Sequence, residues 1–145
     1  MPAFRRNGWS DSLTDSRLTW LTGTAYPAAP AGLYIALLSG EPLSDGSGTT
    51  NEVVRVGPVA YSAPQTASGL AGFPADRRIQ PSSAVSFTPP GAASPVVYAS
   101  GSGWALFTQS SGGNPVFVGS YGWTLQQGVA TVLPAVTFAV TAESS

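Results

Sequence analysis

The stretch that decides the fold class reads WALFTQSSGGNPVFVG and covers residues 104–119. Two short apolar runs, 104–108 and 116–119, flank a polar segment that contains Gly112 and Gly113. Glycine readily adopts the positive φ that a tight turn demands, and the flanking runs have the length of strands. The stretch therefore predicts a β-hairpin.

Runs of the same kind recur along the chain after residue 30. Eight strands are predicted at 33–38, 53–61, 84–88, 96–100, 104–108, 116–119, 129–133 and 136–141. Many short strands separated by Gly- and Pro-rich turns are typical of two packed β-layers. The sequence predicts a mainly β protein: a single-domain antiparallel β-sandwich of jelly-roll or Greek-key type that spans residues 11–145.

Some strand predictions carry detail that a structure can test. The run 33–38 is apolar at both odd and even positions, as expected for a central strand covered on both faces. Pro58 either breaks the second strand or confines it to an edge. The run 136–141 alternates, with apolar residues on one face. Residues 62–80 are predicted as a loop, and 101–103 as a hairpin turn.

A short helix is predicted over residues 11–22, ahead of the strands. Ser10 or Asp11 can cap its start and Gly23 supplies a stop. The predicted apolar face consists of Leu13, Trp20 and Leu21. Residues 1–10 form an extended N-terminal arm, which either projects into solvent or lies on a partner.

Two groups of residues are candidates for a partner interface, because aromatic and Arg side chains concentrate at the centres of interfaces. The candidates are Phe4, Arg5, Arg6, Trp9, Arg77 and Arg78. Each Arg pair could bind carboxylates in bidentate fashion, but solvated loop arginine is the alternative. Aromatic residues within strands, such as Phe107, Phe117 and Phe138, are instead expected in the core.

The composition disfavours enzymatic chemistry. The 145 residues include no His, no Cys and no Lys, so imidazole bases, thiolate nucleophiles and Schiff-base lysines are excluded. Glu41, Asp45 and Glu52 lie close in sequence, but a Gly-rich turn explains the segment better than a calcium loop or a glycosidase pair. We expect no catalytic residue, no metal site and no cofactor.

Charge and hydropathy limit the partners. The net charge of -1 and the lack of a basic stripe argue against nucleic acid. The longest apolar run, 33–38, is far shorter than the ~20 residues of a membrane helix, so no membrane partner is expected. Charged residues make up only 9% of the chain, so Ser, Thr, Gly, Ala and Pro must form most of the surface. Such a surface suits permanent burial against neighbours.

The order of several short motifs resembles a family of small tailed-bacteriophage virion proteins. The first half carries TGTAY at 22–26, LYIALL at 33–38, then EP at 41–42, GSG at 46–48 and NEV at 51–53. The second half carries WALF at 104–107, GGN at 112–114 and VFVG at 116–119. Members are usually labelled tail-fibre-like, or head decoration (cement) proteins that sit as trimers outside the capsid.

The resemblance implies a structural role in a virion. The first expectation is a homotrimeric decoration protein that binds the major capsid protein and cements the outer capsid surface. The alternative is a component of a tail fibre or tail tip. A third possibility is a glycan-binding module in which exposed Tyr or Trp rings stack on sugars. Trp104 and Trp123 are the candidates for these rings.

Overall fold

The computed structural model describes residues 8–42, 51–66 and 77–141. Within these ranges the chain forms one α-helix, ten strands and one 3₁₀ turn, in the order β1 (Gly8–Trp9), α1 (Asp11–Leu21), β2 (Tyr34–Leu38), β3 (Glu52–Val56), β4 (Gln65–Thr66), β5 (Arg77–Ile79), β6 (Val85–Phe87), β7 (Val97–Phe107), β8 (Phe117–Gln126), β9 (Thr131–Leu133), the 3₁₀ turn (Ala135–Phe138) and β10 (Val140–Thr141). The mainly β, antiparallel prediction is confirmed. None of these described elements is a helix long and apolar enough to cross a membrane.

The largest sheet has five strands in the order β1-β8-β7-β2-β3, and all its pairings are antiparallel. The predicted hairpin is its centre: β7 and β8 are the longest strands, and the turn between them has positive φ at Gly112 and Gly113. The strand β3 ends at Val56, before Pro58, and lies at the sheet edge, as predicted. The glycines of the hairpin turn and Pro58 therefore predict the centre and one edge of this sheet.

One face of this sheet forms the main core. The strand β2 contributes Ile35 and β7 contributes Trp104, both essentially unexposed. They pack against a second layer built from β6, β9, the 3₁₀ turn and β10, whose buried side chains include Phe87 and Phe138. The Phe138 ring meets Trp104 edge-on, with centroids 5.2 Å apart. Burial of these rings provides the main driving force for folding, because free energy scales with apolar area removed from water.

The opposite face of the sheet is also covered. Ala36, Leu38 and Phe107 are buried there, so β2 is a central strand with both faces buried, as predicted. The guanidinium of Arg55 lies 3.6 Å from the centre of the Phe107 ring. It forms an ion pair with Glu52, at 2.6 Å, and Nη1 donates to two carbonyls of the β7–β8 turn. One charged side chain thus links the edge strand to the hairpin.

The prediction of a turn at residues 101–103 is wrong, since β7 runs straight through them. A Cβ on Gly101 would collide with the Leu38 carbonyl oxygen, and one on Gly103 with the chain at Gly40 and Pro42. The two glycines therefore permit the segment after β2 to cross β7 at close range, a recognised use of glycine inside a strand. The register also shifts between Gly101 and Gly103, where β8 has one extra residue.

The Trp123 indole forms hydrogen bonds to both chain segments at this crossing. Its Nε1 donates to both the Leu38 and the Gly103 carbonyl oxygens, each at 3.1 Å, and the side chain is 5% exposed. The bond to Leu38 lies where β2 ends, and the bond to Gly103 lies where the β7–β8 register shifts. The indole therefore supplies a donor to two buried carbonyls, one at the end of β2 and one at the register shift.

Two further strand predictions need correction. Residues 62–80 are not all loop, because β4 and β5 form within them. The two strands pair with each other, and β5 also pairs with β10. Residues 136–141 are not one strand: a 3₁₀ turn follows Pro134 and only Val140–Thr141 is extended. Phe138 and Val140 are buried as the alternation predicts, but Val136 is 55% exposed because the turn rotates it out. Phe107, Phe117 and Phe138 are core residues, as predicted.

Replacing Trp123 by Phe is expected to lower the free energy of unfolding by about 1–3 kcal/mol, because two buried carbonyls lose their donor. Urea denaturation measures the change. The same substitution at Trp20, whose side chain is 56% exposed, is the control and should change stability by less than ~0.5 kcal/mol. Equal losses for the two variants would contradict the role assigned to the indole.

The phenol of Tyr61 makes the fold sensitive to alkaline pH. Its hydroxyl donates to the Phe138 carbonyl at 3.0 Å, and burial raises the pKa of Tyr61 well above its ordinary value. The unfolded chain therefore releases this proton at lower pH than the folded chain. Stability should be retained below about pH 10 and fall as the pH rises beyond it.

The variant Tyr61→Phe should show a smaller loss of unfolding free energy than the wild type between about pH 9 and 11. Chemical denaturation at a series of pH values tests this. Tyr98→Phe removes a tyrosine that is 43% exposed and serves as the control, with the wild-type pH profile expected. A Tyr61→Phe profile that matches the wild type would contradict the linkage.

Candidate interaction surface

The helix α1 begins and ends where its local chemistry dictates. The Ser10 Oγ accepts from the Leu13 backbone N–H at 3.2 Å, which makes Ser10 the N-cap. Ser10 is 2% exposed, and its own N–H donates to the Val116 carbonyl at 3.0 Å, so the start of the helix is fixed to the hairpin. The helix ends at Leu21, and Gly23 follows with φ 102°. The predicted helix is confirmed to within one residue.

The helix is unusual because none of its side chains is buried. Leu18 is 57% exposed, Trp20 56% and Leu21 72%. Helices in globular proteins normally bury an apolar stripe, and that burial supplies most of their stability. These three large apolar side chains of α1, by contrast, are mostly exposed to solvent in the isolated chain.

The internal interactions of α1 do not replace that burial. The helix has 11 residues, whereas isolated helices shorter than ~12–15 residues are marginal in water. The hydroxyls of Ser16 and Thr19 bond back to carbonyls three or four residues earlier, a pattern that slightly weakens a helix. The Ser10 cap and the stacking of Arg17 over the Trp9 ring, at 5.6 Å, hold it in place. A partner that covered the apolar side chains would stabilise the helix further.

Two concave surfaces border α1. The first, of about 820 Å³, is lined by Thr14, Arg17, Leu18, Trp20, Leu21 and Tyr26. We call the helix residues Leu18, Trp20 and Leu21 the α1 ridge. The second, of about 670 Å³, lies between the helix, the segment after it and the β7–β8 turn, and we call it the α1 groove. The groove is lined by Ser12, Leu13, Ser16, Tyr26, Pro27, Ala28, Ala29, Pro30, Leu33, Thr108, Gln109, Asn114, Pro115 and Val116.

The structure describes three of the six predicted interface residues, Trp9, Arg77 and Arg78. Phe4, Arg5 and Arg6 lie outside the described residues. Trp9 lies in β1, which pairs with β8, and its ring meets Phe117 edge-on at 5.5 Å. Gly8 and Trp9 are thus strand residues of the large sheet, although the sequence places them in the arm.

Arg77 and Arg78 lie in β5, in a different sheet from Trp9. Arg78 pairs with Gln65 on one side and with Thr141 on the other. Its Nε is buried, with no hydrogen-bond partner in the described part of the chain, so part of the guanidinium points into the fold. Of the predicted interface residues that the structure describes, Arg77 and Arg78 thus lie in a different sheet from Trp9.

The structure also gives the positions of the acidic residues and tryptophans that were considered for metal, glycosidase or glycan sites. Glu52 is paired with Arg55, and Asp45 lies outside the described ranges. In residues 8–42, 51–66 and 77–141 no group of three or more acidic side chains could hold a metal ion. Trp104 and Trp123, considered above as glycan platforms, are 1% and 5% exposed and cannot stack on a ligand from that position.

The sequence predicted Trp20 and Leu21 on an apolar face with Leu13 and did not include Leu18. Nothing in that prediction indicated whether the face is covered by the chain or exposed. At 100° per residue the apolar residues of α1, with Leu18 included, spread over about 160° of the helix. An apolar arc of this width is compatible with burial, so the sequence carried no signal that these side chains are exposed.

Changing the ridge should leave the fold intact. The double variant Leu18→Gln/Leu21→Gln keeps good helix formers and changes side chains that are 57% and 72% exposed, so at low protein concentration its unfolding free energy should stay within ~0.5 kcal/mol of the wild type. Leu106→Ala, at a position 2% exposed, should lose about 2–5 kcal/mol. Thermal and urea denaturation measure both. A large loss for the ridge variant would mean that the ridge is a core element.

Comparison with known proteins identifies a family. The family model described as "Podophage GP4 fiber I protein gp80" matches residues 8–140, which include β1, α1, the large sheet and most of the second layer. No curated protein and no solved structure matches the chain. Because the family model covers most of the chain, the protein belongs to the family of the podophage GP4 fibre I protein gp80.

Proposed function

We propose that this chain is a structural subunit of a fibre on a tailed-phage virion, held in place through the apolar side chains of α1 and without a catalytic role. The observation that carries the proposal is a helix with no buried side chain inside a chain that belongs to a fibre-protein family. The family membership supports a virion component, and the exposed helix supplies a means of attachment.

The energetics support attachment rather than chemistry. Leu18, Trp20 and Leu21 are more than half exposed, and burying such side chains stabilises an assembly by about 1.5–3 kcal/mol each at most. Many copies in one assembly add avidity to that contact. Only 13 of the 145 residues are charged. Few charged groups would therefore have to lose their hydration when the surface is buried.

Decoration of the outer capsid surface, with the major capsid protein as partner, predicts the same exposed helix. The description of the family names a fibre protein, so the fibre is preferred. The two assignments place the protein on different parts of the particle, and location therefore distinguishes them.

Labelling of virions tests the proposal. An epitope tag after Ser145, bound by gold-labelled antibody and viewed by electron microscopy, is expected to mark fibres, with untagged virions as the control. Label spread over the capsid lattice would favour decoration and overturn the fibre assignment, and absence of the chain from purified virions would overturn both.

The ridge can be tested in the same particles. Virions carrying Leu18→Gln/Leu21→Gln should contain at least ~10-fold fewer copies of the chain by quantitative mass spectrometry, since a loss of about 1.4 kcal/mol already weakens binding tenfold. Val132→Gln is the matched control, because Val132 is equally exposed, at 62%, but lies in β9. Unchanged copy number for the ridge variant would contradict attachment through α1.

A further inference from the structure

We propose that the outer face of the β7–β8 ribbon, at the end away from its turn, binds a neutral oligosaccharide through the rings of Tyr98 and Tyr121. This end of the ribbon consists of residues 97–102 of β7 and 120–126 of β8. The strand β2 pairs with β7 only over residues 103–107, so the ribbon here extends beyond β2. The inference goes beyond the proposed function, because it concerns a surface distant from α1.

The two faces of this end of the ribbon differ in burial. On the inner face Trp123 is 5% exposed, Leu125 is fully buried and Ala99 packs against the main core. Ser100 and Thr124 pair with each other and are exposed on the opposite face. The inner face therefore holds the ribbon in place, and the outer face is open to solvent.

Both bulges of the ribbon place a tyrosine on the outer face. Tyr98 is the extra residue of β7 at the first register shift, and by strand alternation it shares the face of Ser100. Ser102 shares that face too, and the two residues of β8 opposite it are Tyr121 and Gly122. Tyr98 is 43% exposed and Tyr121 36%. Bulges commonly re-aim a side chain beside a functional site.

We call this surface the tyrosine face, and define it by its exposed or half-buried side chains: Tyr98, Ser100, Ser102, Tyr121, Thr124 and Gln126. Tyr98 and Ser102 are four positions apart on β7, so the two rings are separated by roughly 13 Å along the ribbon. A short chain of sugars can bridge that separation with one sugar on each ring.

The chemistry of the face matches that of a sugar chain. A sugar ring presents C–H groups on its faces, which can pack on the flat ring of a tyrosine, and hydroxyls around its edge. Ser100 and Thr124 lie between the two tyrosines, and their hydroxyls both donate and accept hydrogen bonds, as sugar hydroxyls do. The face therefore alternates ring stacking with hydrogen bonding along one line.

The lack of charge selects a neutral sugar. The sequence has no charged residue from position 79 to position 142, a span that includes the whole ribbon. A phosphorylated or acidic glycan would lose hydration on this face without gaining a cation from the ribbon. A protein partner is less well matched, because the centre of a protein interface is normally a contiguous apolar patch, whereas hydroxyls separate the two rings here.

The tyrosine face and α1 lie at opposite ends of the ribbon. The N–H of Ser10, the helix cap, donates to Val116 beside the β7–β8 turn. Tyr98 and Gln126 lie where the ribbon ends on the other side. The chain can therefore be held through α1 while the tyrosine face contacts a glycan, and a ribbon already fixed by its inner face loses little freedom on binding.

A glycan array probed with the purified full-length chain tests the class of ligand. The probes are short neutral oligosaccharides of hexoses and N-acetylhexosamines, with sialylated and phosphorylated counterparts beside them. Binding is expected to neutral glycans and to persist at high salt, since no ion pair contributes. No binding to any neutral glycan, or binding to the charged counterparts alone, would overturn the inference.

Titration calorimetry with the neutral glycan that binds most tightly tests the site. Tyr98→Ala and Tyr121→Ala should each raise the dissociation constant about 3- to 10-fold, and the double variant at least ~10-fold. Tyr98→Phe keeps the ring and should stay within about 3-fold of the wild type. Tyr26→Ala is the matched control, since Tyr26 is also 43% exposed but follows α1, and it should bind like the wild type.

Thermal melts establish that each variant is folded before its affinity is compared. Equal affinities of the wild type and the folded double variant would overturn the inference. So would a double variant that changes the mass of the protein in solution and leaves glycan binding intact, because the face would then be an interface between copies.

This inference and the proposed function fail separately. A chain that binds neutral glycans through the tyrosine face but is absent from fibres would contradict the fibre assignment alone. A chain that labels fibres but binds no neutral glycan would contradict the glycan site alone.

Discussion

The structure depends on the double pairing of β7. This strand pairs with β2 over residues 103–107 and with β8 along nearly its whole length, so it links the large sheet through its centre. Its side chains alternate between the two hydrophobic clusters: Trp104 faces the second layer, and Phe107 faces Arg55. Glycine at 101 and 103 allows the chain after β2 to cross it, and the Trp123 indole bonds the carbonyls at that crossing. Each neighbouring element is positioned by this strand.

The core built around β7 does not use the whole apolar content of the chain. Phe87, Phe138, Trp104 and Phe117 form a continuous chain of ring contacts between the layers. The apolar residues of α1 stay outside it, because the Ser10 cap ties only the start of the helix to the sheet. A chain with 9% charged residues presents this helix to solvent with little charge around it. Such a surface is suited to a protein that functions within an assembly, and the fibre family is consistent with that.

The sequence predicts the parts of the fold that local signals determine. The hairpin follows from Gly112 and Gly113 between two apolar runs, and the end of β3 follows from Pro58. The helix follows from its cap and stop residues. These features depend on residues adjacent in sequence, and the structure confirms them.

Features that depend on distant residues were not predictable in the same way. Gly101 and Gly103 resemble a turn until the chain at residues 38–42 is known to cross them. The strand β5 requires β4 and β10 as partners, and the 3₁₀ turn follows from packing Phe138 against Trp104. The candidate surface was missed for a related reason: periodicity shows which side chains share a helix face, but not whether any part of the same chain covers that face.

Hydrogen exchange of α1 tests the central claim that its apolar face is covered by a neighbour in the virion. Exchange is compared between purified protein, diluted until it is monomeric, and intact virions, with peptides from β7 and β8 as the internal reference. The account predicts fast exchange over residues 11–21 in the dilute protein and strong protection in the virion, with the β7 and β8 peptides protected in both. Equal exchange of the helix in the two states would contradict it.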